Sequence, residues 1–151
     1  MTDDAHPTTR TETDSLGAVE IPASAYWGAH TARALENFPI SNTPISRHAR
    51  LVDALAIVKQ AAARANRDLG ALDSTKAGWI EQACVAIRQG RHHDQFVVDV
   101  IQGGAGTSTN MNANEVVANV ALELAGRPHG DYGTLNPVSY THLTLPTNRE
   151  V

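Results

Sequence analysis

One stretch limits what the rest of this chain can be arranged around. Phe96-Val97-Val98-Asp99-Val100-Ile101-Gln102 runs into Gly103-Gly104-Ala105-Gly106, and the glycines run into Thr107-Ser108-Thr109-Asn110-Met111-Asn112-Ala113-Asn114-Glu115. Beyond it Val116, Val117, Val120, Ala121 and Leu124 recur at helical spacing until Gly126 and Pro128, so a helix starts at or just after the glycines. A helix start carries unpaired backbone N–H groups and the positive end of the macrodipole, which suits it to hold an anion. The glycines supply backbone conformations that a Cβ forbids. They do not account for the run of hydroxyl and amide side chains that follows, Thr107, Ser108, Thr109, Asn110, Asn112 and Asn114. Neutral donors in that density suit a small carboxylate, and aimed at developing negative charge they stabilise a transition state.

Nucleotide loops fit this stretch poorly. A phosphate loop of the Walker type needs a Lys followed by Ser or Thr, and no lysine stands near Gly106. In the dinucleotide pattern G-x-G-x-x-G the third glycine falls on Thr109, and no alternation of strands and helices surrounds it.

The remaining chain reads as mainly α. Ser46 is placed to cap a helix whose apolar face is Leu51, Val52, Leu55, Val58, Ala62 and Ala65, ending near Gly70. Asp73 or Ser74 caps a second helix through Trp79, Ile80, Ala83, Cys84 and Ile87, ending at Gly90. So short a connection packs the two antiparallel. Phe96–Ile101 is a buried strand or a helix turn, which periodicity alone does not separate. Val19–Pro22 reads as extended, and Ala25–Ile40 as an aromatic-anchored loop or short helix. Residues 1–9 form a polar, disordered tail.

Several function classes are set aside. A net charge of −4 without a dense Lys/Arg run offers no footprint for nucleic acid or an anionic membrane. No apolar run approaches the ~20 residues of a membrane span, and the first residues lack the pattern of a signal peptide, so the expectation is a cytoplasmic protein. The single cysteine, Cys84, sits on an apolar helical face and reads as core. His92-His93-Asp94 reads as a solvated turn, because adjacent residues do not converge on one point; no metal or cofactor is expected. His30, beside Tyr26 and Trp27, reads as a packing group.

Gln102–Val116 resembles the first signature of the aspartase/fumarase superfamily of lyases, in the form carried by aspartate ammonia-lyases. Two earlier blocks are similar to the same family: Arg10, Glu12, Asp14 and Gly17 to its opening Arg-x-Glu-x-Asp-x-x-Gly, and Tyr26–Thr31 with Arg33, Glu36, Asn37 and Phe38 to its next block. The resemblance implies the N-terminal domain, over residues 10–137, of a three-domain helical enzyme, lacking the central helical bundle through which such enzymes form homotetramers. It implies reversible elimination of ammonia from L-aspartate to give fumarate, without a cofactor. It places Thr107 at the substrate-carboxylate threonine, with Ser108 and the Gly106 backbone beside it, and assigns no catalytic residue to this chain, since the serine-base loop is missing. The chain alone is then expected to be inactive. Residues 138–151 fit no part of the pattern in order and read as a non-native tail. The alternatives are a fragment of a class II fumarase-like lyase and a non-catalytic helical domain that binds a small anion.

Overall fold

The computed structural model describes residues 8–139. The expected tails lie outside them, apart from Thr8 and Thr9 at one end and Val138 and Ser139 at the other. Thr9 opens a strand, β1 (Thr9–Asp14), which pairs antiparallel with β2 (Gly17–Pro22), Asp14 facing Gly17 across the turn. The turn is closed by the Leu16 N–H donating to Asp14 Oδ1 at 2.8 Å, and Gly17 takes φ 117°, a left-handed value that favours glycine. The extended reading of Val19–Pro22 is right. Its partner strand escaped notice because Thr-Arg-Thr-Glu-Thr-Asp has no apolar alternation; its inward residue is Glu12, 7% exposed.

Four helices follow: α1 (Ala29–Asn37), α2 (Ala49–Asp68), α3 (Ser74–Arg88) and α4 (Thr107–Leu124). Asp73 caps α3, its Oδ1 accepting from Thr75 N at 2.9 Å and Lys76 N at 3.1 Å. Such a cap contributes about 1 kcal/mol. Helices α2 and α3 run antiparallel, since Arg67 Nη1 reaches Glu81 Oε1 at 2.7 Å at one end while Arg88 Nη1 reaches Gln60 Oε1 at 3.0 Å further along.

The start and face of α2 differ from expectation. Ser46 lies in a short 3-10 turn (Ile45–Arg47), and the α-helix begins after His48. The buried stripe runs through Val52, Ala56, Lys59, Gln60, Ala62, Ala63 and Asn66, so Val52 and Ala62 turn inward as expected, whereas Leu51 is 42% and Val58 58% exposed. Alanines let α2 approach its neighbours closely, so the small residues face inward and some of the larger apolar ones are left outside.

Helix α4 is the axis of the molecule. Every residue from Asn112 to Leu122 is buried. Val116, Val117, Val120 and Ala121 pack with Ile80, Ala83, Cys84 and Ile87 of α3, with Val52, Ala56 and Ala63 of α2, and with Phe96 and Leu135. Full burial of a side chain such as Ile80, Ile87 or Phe96 contributes about 1.5–3 kcal/mol. Cys84 is core, as read, and burial pushes its thiol up to about 12.

Phe96–Ile101 is neither a sheet strand nor a helix turn. It runs irregularly beside residues 43–46, with Ile45 N donating to Val98 O at 2.9 Å, Ser46 N to Phe96 O at 3.0 Å and Val100 N to Thr43 O at 2.9 Å. Phe96 and Val98 are buried, while Ile101 is 50% exposed. The histidine pair before it is not a free surface turn. His92 takes φ 60° and lays its ring 4.4 Å from that of Tyr26, and His93 Nε2 lies 2.8 Å from Ile87 O.

Candidate functional site

The glycine loop ends at Gly106, whose φ 81° and ψ 21° turn the chain into α4, and Thr107 is the first helical residue. Thr107 is exposed, Ser108 and Gly106 half-buried. No side chain caps α4 from the Gly106 position. One of the first-turn N–H groups, that of Thr109, is taken up from inside the chain by Gln102 Oε1 at 2.8 Å. Gln102 Nε2 also donates to Thr109 Oγ1 at 2.6 Å and to Asp99 O at 3.3 Å. The backbone ahead of the glycines is held by Asp99. Its carboxylate accepts from Ile101 N at 2.8 Å, from Ser41 N and Oγ at 2.7 and 2.6 Å, and from Asn42 N at 2.8 Å. The Ser41 hydroxyl above all, with these backbone N–H groups, lowers the Asp99 carboxyl to about 2. On the far side Gly103 lies flat against Phe38, where a Cβ would come within 2.9 Å of the ring.

The polar run after the glycines divides by depth. Asn110 is exposed and accepts from Lys59 Nζ of α2. Lys59 itself is 5% exposed, and burial lowers its pKa. Asn112 and Asn119 are 0% exposed and serve the interior. Asn112 Nδ2 donates to Gln95 O at 3.1 Å, and Asn119 bridges Tyr26 O, Tyr132 Oη and Gly130 N at 2.9, 3.1 and 2.8 Å. Asn114, 1% exposed, is likewise internal. The amides of Asn112 and Asn114 therefore face the interior, and of the polar run only Thr107, Ser108, Thr109 and Asn110 lie at or near the surface.

A second helix start is occupied from within. Glu115, 1% exposed, reaches from the middle of α4 to the beginning of α1, where Oε2 accepts from Gly28 N at 2.8 Å and Thr31 N at 3.1 Å, and Oε1 from His30 N at 2.9 Å. Glu12 of β1 takes the remaining N–H, that of Ala29, at 2.9 Å. Burial raises the Glu115 pKa and the backbone N–H groups oppose it. Arg10 balances the charge, its Nη2 lying 2.8 Å from Glu12 Oε1, and its Nη1 and Nη2 both reach 2.7 Å from carbonyls, of Ala25 and Trp27 respectively. Tyr132 Oη donates to Glu12 Oε1 at 3.1 Å. Gly28 itself is tightly enclosed, since a Cβ there would lie 2.5 Å from Tyr132 Oη and 2.6 Å from Glu12 Oε2. A cavity of about 280 Å³ opens beside this cluster, lined among others by Glu12, Glu115, Tyr132, Asp14 and His30. His30 is exposed on its rim, so its side chain does not pack as expected; its backbone N–H does the structural work.

The three motif blocks thus meet in space. Arg10 and Glu12 of the first bind the start of α1, which belongs to the second, and Glu115 of the third closes that start. Phe38 of the second block carries the glycine loop of the third. Sequence reasoning missed Glu12, Glu115, Gln102 and Lys59 as organisers. The available signals were a carboxylate and an amine at core positions of otherwise apolar helical stripes, Glu115 beside Val116 and Lys59 in register with Val52, Ala56 and Ala63. Among the described residues there is no group of three or more His, Cys, Asp or Glu that could hold a metal ion, and no helix long and apolar enough to cross a membrane.

Comparison with known proteins places this arrangement. Residues 17–148 match the family described as Lyase. The chain is 54% identical over 139 residues to an aspartate ammonia-lyase of Pseudomonas canavaninivorans, covering 92% of this chain and 29% of that protein. It is 58% identical over 122 residues to a class II fumarate hydratase of Halobacterium salinarum, covering 81% of this chain and 26% of that protein. Its fold is similar to a crystal structure of a fumarate lyase:delta crystallin from Brucella melitensis, with a TM-score of 0.87 and 53% identity over 89% of this chain and 30% of that one. The chain spans less than a third of the length of each of these relatives. On sequence and fold together, it belongs to the lyase family that includes aspartate ammonia-lyases and class II fumarate hydratases.

Proposed function

We propose that this chain is the N-terminal part of an aspartate ammonia-lyase, and that Thr107, Ser108 and the Gly106 backbone hold a carboxylate of L-aspartate. The observation that carries the reading is the half-open start of α4. Its first turn is braced from inside at Thr109, while Thr107 stands exposed at a helix end that favours negative charge. In the elimination a base removes a proton from Cβ, the electron pair of that C–H bond is first delocalised onto the carboxylate attached to Cβ, and it then forms the Cα–Cβ double bond as the C–N bond breaks to release ammonia and fumarate. Negative charge builds on the carboxylate next to Cβ in the intermediate, and donors fixed at that carboxylate lower the barrier.

This chain contributes the cradle and not the base. The serine base, the rest of the carboxylate site and the tetrameric assembly belong to polypeptide beyond these residues, and the chain alone is catalytically silent. The likeness to a class II fumarate hydratase favours one second reading, in which water rather than ammonia is eliminated. The full-length gene product, assayed for ammonia release from L-aspartate and for hydration of fumarate, decides between them. Ammonia release supports the aspartase reading, hydration alone replaces it, and neither activity sinks both.

A further inference from the structure

We propose that Gln102 is a positioning residue that locks the glycine loop in its ligand-ready form, so that it sets the affinity for the substrate carboxylate without taking part in the chemistry. The inference rests on the proposed role of Thr107 and goes beyond it. The loop it braces is rich in glycine. Gly103, Gly104 and Gly106 lie within four consecutive residues, and Gly104 and Gly106 take left-handed φ values of 70° and 81°. A glycine segment loses more conformational freedom on ordering than any other, so a device must supply the order before the ligand arrives.

Gln102 is built for that task. It precedes the glycines and grips the residue that follows them by three, closing the loop into a ring. Its amide oxygen accepts the Thr109 N–H at 2.8 Å, and its amide nitrogen donates to Thr109 Oγ1 at 2.6 Å and to Asp99 O at 3.3 Å. One planar amide thus ties both ends of the loop to the Asp99 anchor, which is itself fastened to Ser41 and Asn42. The grip leaves Thr107 exposed, because it takes the N–H of the third helical residue and not of the first. Without it the loop samples many shapes of which a small fraction binds. Apparent affinity falls by that fraction, while the saturated complex, in which ligand has ordered the loop, turns over as before.

The test uses Gln102→Leu in the full-length enzyme, with Thr109→Val and Thr109→Ser as a second pair that varies the same contact from its other side. Hydrogen exchange at the amides of residues 103–110 reports the grip, and steady-state kinetics with L-aspartate reports its consequence. The expected result is faster exchange confined to that segment, KM raised about tenfold and kcat within about twofold in Gln102→Leu. Thr109→Val should raise KM less, since the N–H contact survives, and Thr109→Ser should restore it. Unchanged exchange, or a fall in kcat with KM unmoved, overturns the proposal. Should Gln102→Leu fail to assemble, equal KM values for the Val and Ser variants at position 109 overturn it instead. Faster exchange with unmoved KM, together with normal kinetics of Thr107→Val, overturns the underlying reading of the site and leaves the grip itself standing.

Discussion

Two helix starts in this protein face the same electrostatic problem and resolve it in opposite ways. The start of α1 is sealed, with the N–H groups of Gly28, Ala29, His30 and Thr31 all donating to the carboxylates of Glu115 and Glu12, both buried. The start of α4 is braced by a neutral amide at Thr109 and keeps Thr107 at the surface. The sealed start shows, within one chain, that a helix end built this way accepts carboxylate oxygens at 2.8–3.1 Å. The difference lies in where the carboxylate comes from. Where it belongs to the chain, the site is architecture; at the α4 start none of the described residues supplies one, which leaves that end open to a ligand in the proposed reading.

The contrast breaks most severely at Glu115. Glu115→Ala leaves the N–H groups of Gly28, His30 and Thr31 without their acceptor, at about 1–3 kcal/mol for each that stays buried, so a loss of at least about 3 kcal/mol is expected in a denaturant titration. A change under about 1 kcal/mol would show that the α1 start does not need its internal carboxylate. At the open start the expected loss is functional instead. Thr107→Val in the full-length enzyme should lower kcat/KM about 10²-fold with the elution volume of the assembly unchanged, and wild-type kinetics would remove Thr107 from the site.

Acid sharpens the comparison further. Asp99, which anchors the open start, has its pKa depressed from the ordinary 3.8 to about 2. A depressed carboxyl adds stability that is fully present above its unfolded value and is lost as pH falls from about 4 through about 2. Thermal unfolding of Asp99→Asn should therefore lie below wild type at pH 6 and converge with it near pH 2; a constant gap would refute the assignment. The smallest effect is expected beside the sealed start, where Tyr26 lies between His92 and His129, each ring 4.4 Å away. Burial lowers both imidazoles below the ordinary 6.5. The unfolded chain then binds protons first as pH drops through 6.5, so stability falls below that pH and is insensitive above it. His92→Gln with His129→Gln should flatten the slope between pH 7 and 5.5, and an undiminished slope would place the titrating group elsewhere.

Much of the architecture was legible because it is written in short-range signals. The cap at Asp73, the antiparallel pairing of α2 with α3, and the beginning of α4 after Gly106 each depend on residues a few positions apart. The misreadings have one cause. Apolar spacing puts Leu51 and Val58 on the inward face of α2, yet both stay exposed while Lys59 and Gln60 turn in, because the neighbouring helices fix the face. Asn112 and Asn114 read as ligand donors in the sequence for a similar reason, since nothing local distinguishes an amide that meets solvent from one that meets the core.

What the sequence determined by itself is the family, the helices α2, α3 and α4, and the place where a glycine turn hands over to a helix with donors at its first turn. Tertiary structure alone decided which helix start is closed and which stays open. The bond from Gly28 to Glu115 joins residues 87 apart in the chain, and no periodicity or capping rule reaches that far. A carboxylate seals a helix end only when folding carries it there, and that journey is a property of the packed molecule.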